Sequence, residues 1–149
     1  DTINKYETAK FEGPAEDGSA MLYSGKVAGN DAYIVYYFDP AGKLYRGVYG
    51  ITTTYSTASL YITSYETLKD NLSEKYGKPS SDEVRKISSL AKYADADTAL
   101  QLGYSVYQTI WNTETTEVSL GMLNDGSGIS ILISYTDPNH EEVKNTSGL

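Results

Sequence analysis

The sequence predicts an α+β domain in which helices pack on one face of an antiparallel sheet of about six strands, arranged as two αβββ units. One strongly amphipathic helix lies in the middle of the chain, with clear start and stop signals. Three apolar segments of strand length precede this helix and three follow it, separated by turn residues. A chain of 149 residues is long enough for a core of its own, so we assign residues 1–149 to a single domain.

The central helix is expected to span Tyr65 to Tyr76. Its apolar side chains recur at spacings of three and four residues and share one face: Tyr65, Leu68, Leu72 and Tyr76. Thr63 and Glu66 match a capping box at the start, and Gly77 and Pro79 end the helix. Because a helix this short is marginal in isolation, its apolar face must be buried against the sheet.

Six segments are predicted to be strands. They are residues 20–27, 32–38 and 43–55 before the helix, and 104–111, 116–123 and 129–135 after it. Short turns such as Gly29-Asn30-Asp31 and the Gly-rich segment 124–128 suit hairpins, so neighbouring strands are expected to be antiparallel. Gly47 and Gly50, inside the third strand, indicate a bulge or a close backbone approach.

The remaining segments carry weaker signals. Residues 2–11 are expected to form a short first helix, followed by a loop to residue 18. Ser81 is expected to cap another helix, with Val84, Ile87, Leu90 and Ala91 on one face. The Asp95–Asp97 pair lacks the Gly and the distal Glu of an EF-hand, so it is interpreted as a helix start or turn. Residues 138–149 form a polar tail.

Composition restricts the function. The chain has 20 acidic and 12 basic residues and therefore a net charge of −8. This charge disfavours nucleic acids and anionic membrane surfaces as partners. Cysteine is absent, which excludes disulfides and thiolate metal sites, and no apolar run is long enough for membrane insertion. The sequence begins with Asp1 rather than Met; a removed signal peptide or lipid-anchoring segment explains this, and trimming explains it equally. Richness in Ser, Thr, Tyr, Asn and Gly favours an extracellular or surface-anchored protein.

No motif for catalysis, metal binding or cofactor binding is found. His140 is the only histidine and lies in a polar segment, with no nucleophile motif to accompany it. The chain contains neither phosphate-binding glycine pattern. We therefore expect no catalytic residues, no metal and no cofactor.

The unusual feature is the tyrosine content of 15 residues. If Ile34 and Tyr36 face the core, alternation along the strand turns Tyr33 and Tyr37 to the other side. In the fourth strand Tyr107 and Trp111 share a face. We interpret Tyr33, Tyr37, Tyr107 and Trp111 as an aromatic platform for a protein or a sugar ring. The alternative is that these side chains fill a second buried face.

The segments YIVYYFDPAGKLYRGVYGI (33–51), YETLKDNLSEKYGKP (65–79) and TEVSLGM (116–122) resemble small bacterial exported or lipoprotein-type α+β domains. The resemblance covers residues 20–137 and implies no catalytic residues. We predict a non-catalytic, exported or surface-anchored binding domain whose partner is a protein or a glycan. Two alternatives are a carboxylate-dependent hydrolase acting on a cell-wall or dietary polymer, and an inhibitor of a secreted enzyme.

Overall fold

The computed structural model describes residues 10–14, 19–27 and 29–139, and these residues form one antiparallel sheet of eight strands with two α-helices. The strands are β1 (Lys10–Pro14), β2 (Ala20–Val27), β3 (Asn30–Phe38), β4 (Leu44–Ile51), β5 (Ser81–Lys86), β6 (Ser105–Asn112), β7 (Glu117–Asn124) and β8 (Ile129–Thr136). The helices are α1 (Ala58–Tyr76) and α2 (Ala96–Gln101), and a 3₁₀ helix, Ser89–Tyr93, precedes α2.

The strands lie in the order β1-β2-β3-β4-β8-β7-β6-β5, and every neighbouring pair is antiparallel. The first four strands form one meander and the last four form another. Helix α1 connects the meanders and carries the chain from the middle of the sheet to its far edge. Strands β4 and β8 therefore meet at the centre, paired from Arg46 opposite Thr136 to Gly50 opposite Leu132.

The predicted fold class is wrong. All six predicted strands are present and antiparallel, but β1 and β5 increase the sheet to eight strands, so the domain is dominated by its sheet. Two four-stranded meanders replace the predicted αβββ units. Residues 2–9 of the first predicted helix lie outside the described residues, and Lys10 and Phe11 belong to β1. The tail from residue 140 also lies outside them.

The helix predicted from Ser81 is strand β5, all of whose residues are exposed. Six consecutive residues, Ser81 to Lys86, pair with β6, and this pairing satisfies backbone groups that a helix would otherwise satisfy internally. The spacing of Val84, Ile87 and Leu90 was therefore misleading, because all three side chains are exposed. Ala91, the fourth residue of the predicted face, is buried, but it belongs to the 3₁₀ helix. Tertiary pairing overrides such local patterns most easily at a sheet edge.

Helix α1 buries the predicted apolar stripe but begins earlier than predicted. Tyr65, Leu68 and Leu72 are buried. The capping box is wrong: the helix starts at Ala58, and Thr63 is an interior residue whose Oγ1 donates to the Ser59 carbonyl at 3.0 Å. The predicted end is confirmed, since Gly77 has φ 89° and its N–H donates to the Ser73 carbonyl at 2.7 Å.

The main core lies between the helices and one face of the sheet, which we call the helix face. Side chains from α1 and α2 meet those of the second meander there, and the buried ones include Leu68, Leu100, Leu120, Met122 and Ile133. Alternation then assigns every second residue of each strand to the opposite side of the sheet. Neither α1 nor α2 packs on that side, which we call the uncovered face.

Candidate functional site: the uncovered face of the sheet

The uncovered face carries apolar side chains that remain half-exposed or exposed. They come from five strands: Leu22, Tyr33, Val35, Val106, Leu123 and Leu132. In the second meander the corresponding side chains of the helix face, such as Leu120, Met122 and Ile133, are buried. A sheet packed on both sides would bury both sets. Exposed apolar side chains gathered on one face of a small protein mark a candidate interaction site.

The ring of Tyr33 extends over a glycine of the neighbouring strand. The two residues are directly paired, Tyr33 on β3 and Gly50 on β4. A Cβ atom built on Gly50 would overlap the outer ring atoms of Tyr33, so the ring lies flat over the glycine backbone. The absence of a side chain at Gly50 thus leaves room for a ring that is still 39% exposed.

Arg46 provides a positive charge at one end of the strands on this face, beside Tyr37 of β3 and Thr136, the last residue of β8. Its guanidinium carbon lies 5.8 Å from the centre of the Tyr37 ring, and Nη2 donates to Ser134 Oγ at 3.4 Å. Nε is buried and has no hydrogen-bond partner among the described residues. No described carboxylate forms an ion pair with Arg46. The side chain is therefore held by a ring and a hydroxyl rather than by an ion pair with a described carboxylate.

The other two residues of the predicted aromatic platform lie on the helix face. Tyr107 is 7% exposed and packs edge-on against Tyr65, with ring centres 5.4 Å apart. Trp111 is 1% exposed, and its Nε1 donates to the Gly77 carbonyl at 3.1 Å. Both rings anchor α1 to the sheet, so they cannot belong to an exposed platform. Only Tyr33 and Tyr37 of the four predicted residues share the uncovered face.

A hydrogen-bonded chain of ionisable groups crosses from the core to the surface beneath α1. Thr109 Oγ1 donates to Asp82 Oδ1 at 3.0 Å, and therefore accepts from the Tyr65 hydroxyl at 2.6 Å. Lys69 completes the chain through Asp82 Oδ2 at 3.1 Å and Glu66 Oε2 at 2.9 Å. Burial raises the pKa of Tyr65 to about 12, so this phenol stays protonated at neutral pH. These hydrogen bonds and ion pairs connect α1 to β5 and β6, so their role is structural.

The other acidic groups considered in the sequence have local structural roles. Asp95 caps α2 as predicted: its Oδ1 accepts from the Thr98 N–H at 2.8 Å, and this bond lowers the pKa of Asp95. Across the residues that the structure describes, no group of three or more His, Asp or Glu side chains is placed to hold a metal ion. Three surface clefts each contain one carboxylate, from Asp31, Asp97 or Asp137. His140 lies outside the described residues.

Comparisons of this chain with protein-family models, with curated protein sequences and with solved structures gave no match. Within the described residues, the helices are too short or too polar to cross a lipid bilayer.

The sequence interpretation missed Arg46, and it identified Gly50 without the residue that approaches it. Gly50 did have a signal, because a glycine inside a strand indicates a close approach. Its partner Tyr33 becomes evident only from the register of β3 and β4. Arg46 has no signal of its own, since an arginine in a strand is ordinary until its neighbours across the sheet are known.

Proposed function

We propose that this chain is a non-catalytic binding domain that recognises a protein partner through the uncovered face of its sheet. The observation that carries the proposal is the group of exposed and half-exposed side chains on this face, which includes Tyr33, Tyr37 and Arg46. Tyrosine and arginine are enriched in the energetically dominant positions of protein interfaces. Each of the three has a neighbour on this face: Tyr33 lies over Gly50, Arg46 bonds to Ser134, and Tyr37 contacts Arg46. Side chains that are already positioned lose less conformational entropy on binding.

The dimensions of this face suit a protein better than a small molecule. Eight strands spaced at ~4.8 Å give a width of about 34 Å, and strands of eight residues are about 26 Å long. The resulting area of roughly 900 Å² is close to the ~800 Å² that each partner contributes to a standard interface. We expect the partner to present apolar side chains with a hydrogen-bond acceptor opposite Arg46.

The exported or surface-anchored location is part of the proposal and rests on the composition and on the resemblance to exported domains. The absence of enzymatic activity is also part of it. Hydrolysis through two carboxylates has less support, because the clefts that contain Asp31, Asp97 and Asp137 each hold one acid.

The test is affinity capture from the culture fluid and envelope proteins of the producing organism. The bait is the wild-type chain, the double variant Tyr33→Ala/Tyr37→Ala, or the control Tyr93→Ala, which removes a 79% exposed tyrosine from the 3₁₀ helix. We expect one protein to be retained by wild type and control, and at least tenfold less by the double variant. Equal retention by all three baits would show that this face does not bind.

A further inference from the structure

A second candidate site lies on the helix face of β4, around Gly47. The neighbours of this glycine across the sheet are both tyrosines, Tyr36 on β3 and Tyr135 on β8. Tyr49 lies two residues further along the same strand and meets Tyr135 edge-on, with ring centres 5.4 Å apart. Because Gly47 has no side chain, these rings surround a depression in the sheet.

The depression is a cleft of about 230 Å³. Four tyrosines line it, since Tyr45, at the bulge where β4 gains a residue against β3, joins the three around Gly47. The rest of the lining comes from the ends of the strands and the residues beside them: Leu44, Arg46, Thr115, Thr116, Thr136 and Asp137. The four tyrosines are all half-buried, so their rings are accessible. Helix α1 ends at one side of the cleft, where Tyr76 contacts Tyr135 with ring centres 6.3 Å apart.

The electrostatics of the cleft favour a cation. Ring faces are negative because of the aromatic quadrupole, and several tyrosines around one point add their attractions. Asp137 supplies the carboxylate of the lining, and the whole chain carries a net charge of −8. Arg46 also borders the cleft, but its guanidinium extends to the opposite face, towards Tyr37 and Ser134. Burial beside Tyr76 and Tyr49 raises the pKa of Tyr135, which keeps this wall neutral.

We propose that the tyrosine cleft around Gly47 binds a quaternary or methylated ammonium group. The methyl groups contact the rings, and the positive charge faces the ring surfaces and Asp137. A strongly hydrated primary ammonium loses more hydration energy on entering such a site, so methylated cations are preferred. The same group occurs in small molecules of the choline type and on methylated lysine side chains.

The experiment is calorimetric titration of the wild-type chain with choline and with its neutral isostere 3,3-dimethylbutan-1-ol. We expect choline to bind about tenfold or more tightly than the isostere, because the charge supplies the difference. The N-methyl proton signal of bound choline should move upfield, since aromatic rings shield protons held over their faces. A peptide with trimethyllysine is titrated in parallel to distinguish a small-molecule ligand from a side chain of a partner.

Two glycine variants give a matched comparison. In Gly47→Ala the new Cβ lies 3.6 Å from the Tyr36 ring, an ordinary contact, so the chain folds while the floor of the cleft is filled. In the control Gly121→Ala the Cβ lies on the uncovered face, 3.8 Å from the Tyr107 carbonyl oxygen. We expect Gly47→Ala to weaken choline binding at least tenfold and the control to leave it unchanged. If Gly47→Ala does not fold, Tyr45→Leu replaces it in the comparison.

Three results would overturn the proposal. The first is equal binding of choline and its neutral isostere, and the second is unchanged choline binding in Gly47→Ala. The third is binding of methyl glucoside but not of choline, which would make the cleft a sugar site. These results do not test Tyr33 and Tyr37, because the tyrosines of the cleft lie on the helix face; Arg46 borders both sites.

Discussion

Replacement of Thr109 with Val is expected to destabilise the protein by about 1–3 kcal/mol. Valine has nearly the same shape and the same preference for strands, so the change removes a hydroxyl without creating a cavity. The Tyr65 hydroxyl would retain only the Leu120 carbonyl, at 3.2 Å, and the Asp82 carboxylate would lose a donor. The loss therefore measures what the hydrogen-bonded chain contributes to holding α1 on the sheet.

A second hydroxyl on the same strand supplies the control. Ser105 is buried on the helix face of β6, as Thr109 is, but its Oγ has no hydrogen-bond partner among the described residues. Ser105→Ala removes an unsatisfied polar atom and is expected to be neutral or to stabilise the protein by up to about 1 kcal/mol. The two variants thus share burial, strand and face, and differ in whether the hydroxyl is satisfied.

Urea denaturation of both variants, with the slope of the transition checked for constancy, gives the two free energies of unfolding. A decrease in the free energy of unfolding of less than about 0.5 kcal/mol for Thr109→Val would refute the structural role of the hydrogen bonds that connect Tyr65, Thr109 and Asp82. A loss above about 1 kcal/mol for Ser105→Ala would show that its hydroxyl has a partner after all.

Three further predictions concern α1 and the uncovered face. Leu68→Ala should lower the free energy of unfolding by about 2–5 kcal/mol, because this side chain is buried. Thr63 is exposed on the same helix, so Thr63→Ala should change the free energy by less than about 0.5 kcal/mol. Similar losses for the two variants in urea denaturation would contradict the placement of the apolar stripe of α1. Gly50→Ala should displace the Tyr33 ring and reduce capture of the partner by a folded protein, while unchanged capture would separate this ring from binding. Burial raises the pKa of Tyr65 from near 10 to about 12, so as the pH rises the unfolded chain loses this proton before the folded chain does. The contribution of Tyr65 to the free energy of unfolding should therefore be fully present below pH 10 and decrease between pH 10 and pH 12. The decrease should be at most about 1.4 kcal/mol per pH unit. Tyr65→Phe should reduce that slope, and an unchanged slope would exclude Tyr65 as its source.

The sequence predicted the six apolar strands and the end of α1 because alternation, turn residues and Gly77 are local signals. It did not predict β5, whose sequence SDEVRK has no apolar periodicity because both faces of this edge strand are exposed. Charged residues on an edge discourage association with other sheets. The start of α1 was missed because β-branched and aromatic residues in 58–63 weaken the helical pattern.

Assigning the faces of β6 required the structure. Alternation separates Tyr107 and Trp111 from Val106 and Ile110, but it does not say which set is buried. The buried set also contains Thr109, and a polar residue between Tyr107 and Trp111 gives these positions the pattern of an exposed face. Its burial is tolerated because the hydroxyl bonds to Tyr65 and Asp82, which lie far away in sequence. The same dependence on distant neighbours explains why Tyr33 and Tyr37 were identified without Arg46.

The central position of β8 has a consequence for how the protein assembles. This strand is synthesised after the other seven strands of the sheet, yet it joins the two meanders, and the hydrogen bond between Arg46 and Ser134 spans 88 positions. Until β8 is in place, β4 and β7 each have an unpaired side in the middle of the future sheet. Contacts of such long range slow folding, so insertion of β8 is expected to be the rate-determining step. A nascent chain that ends before residue 129 would therefore be the form most prone to aggregate through open strand edges.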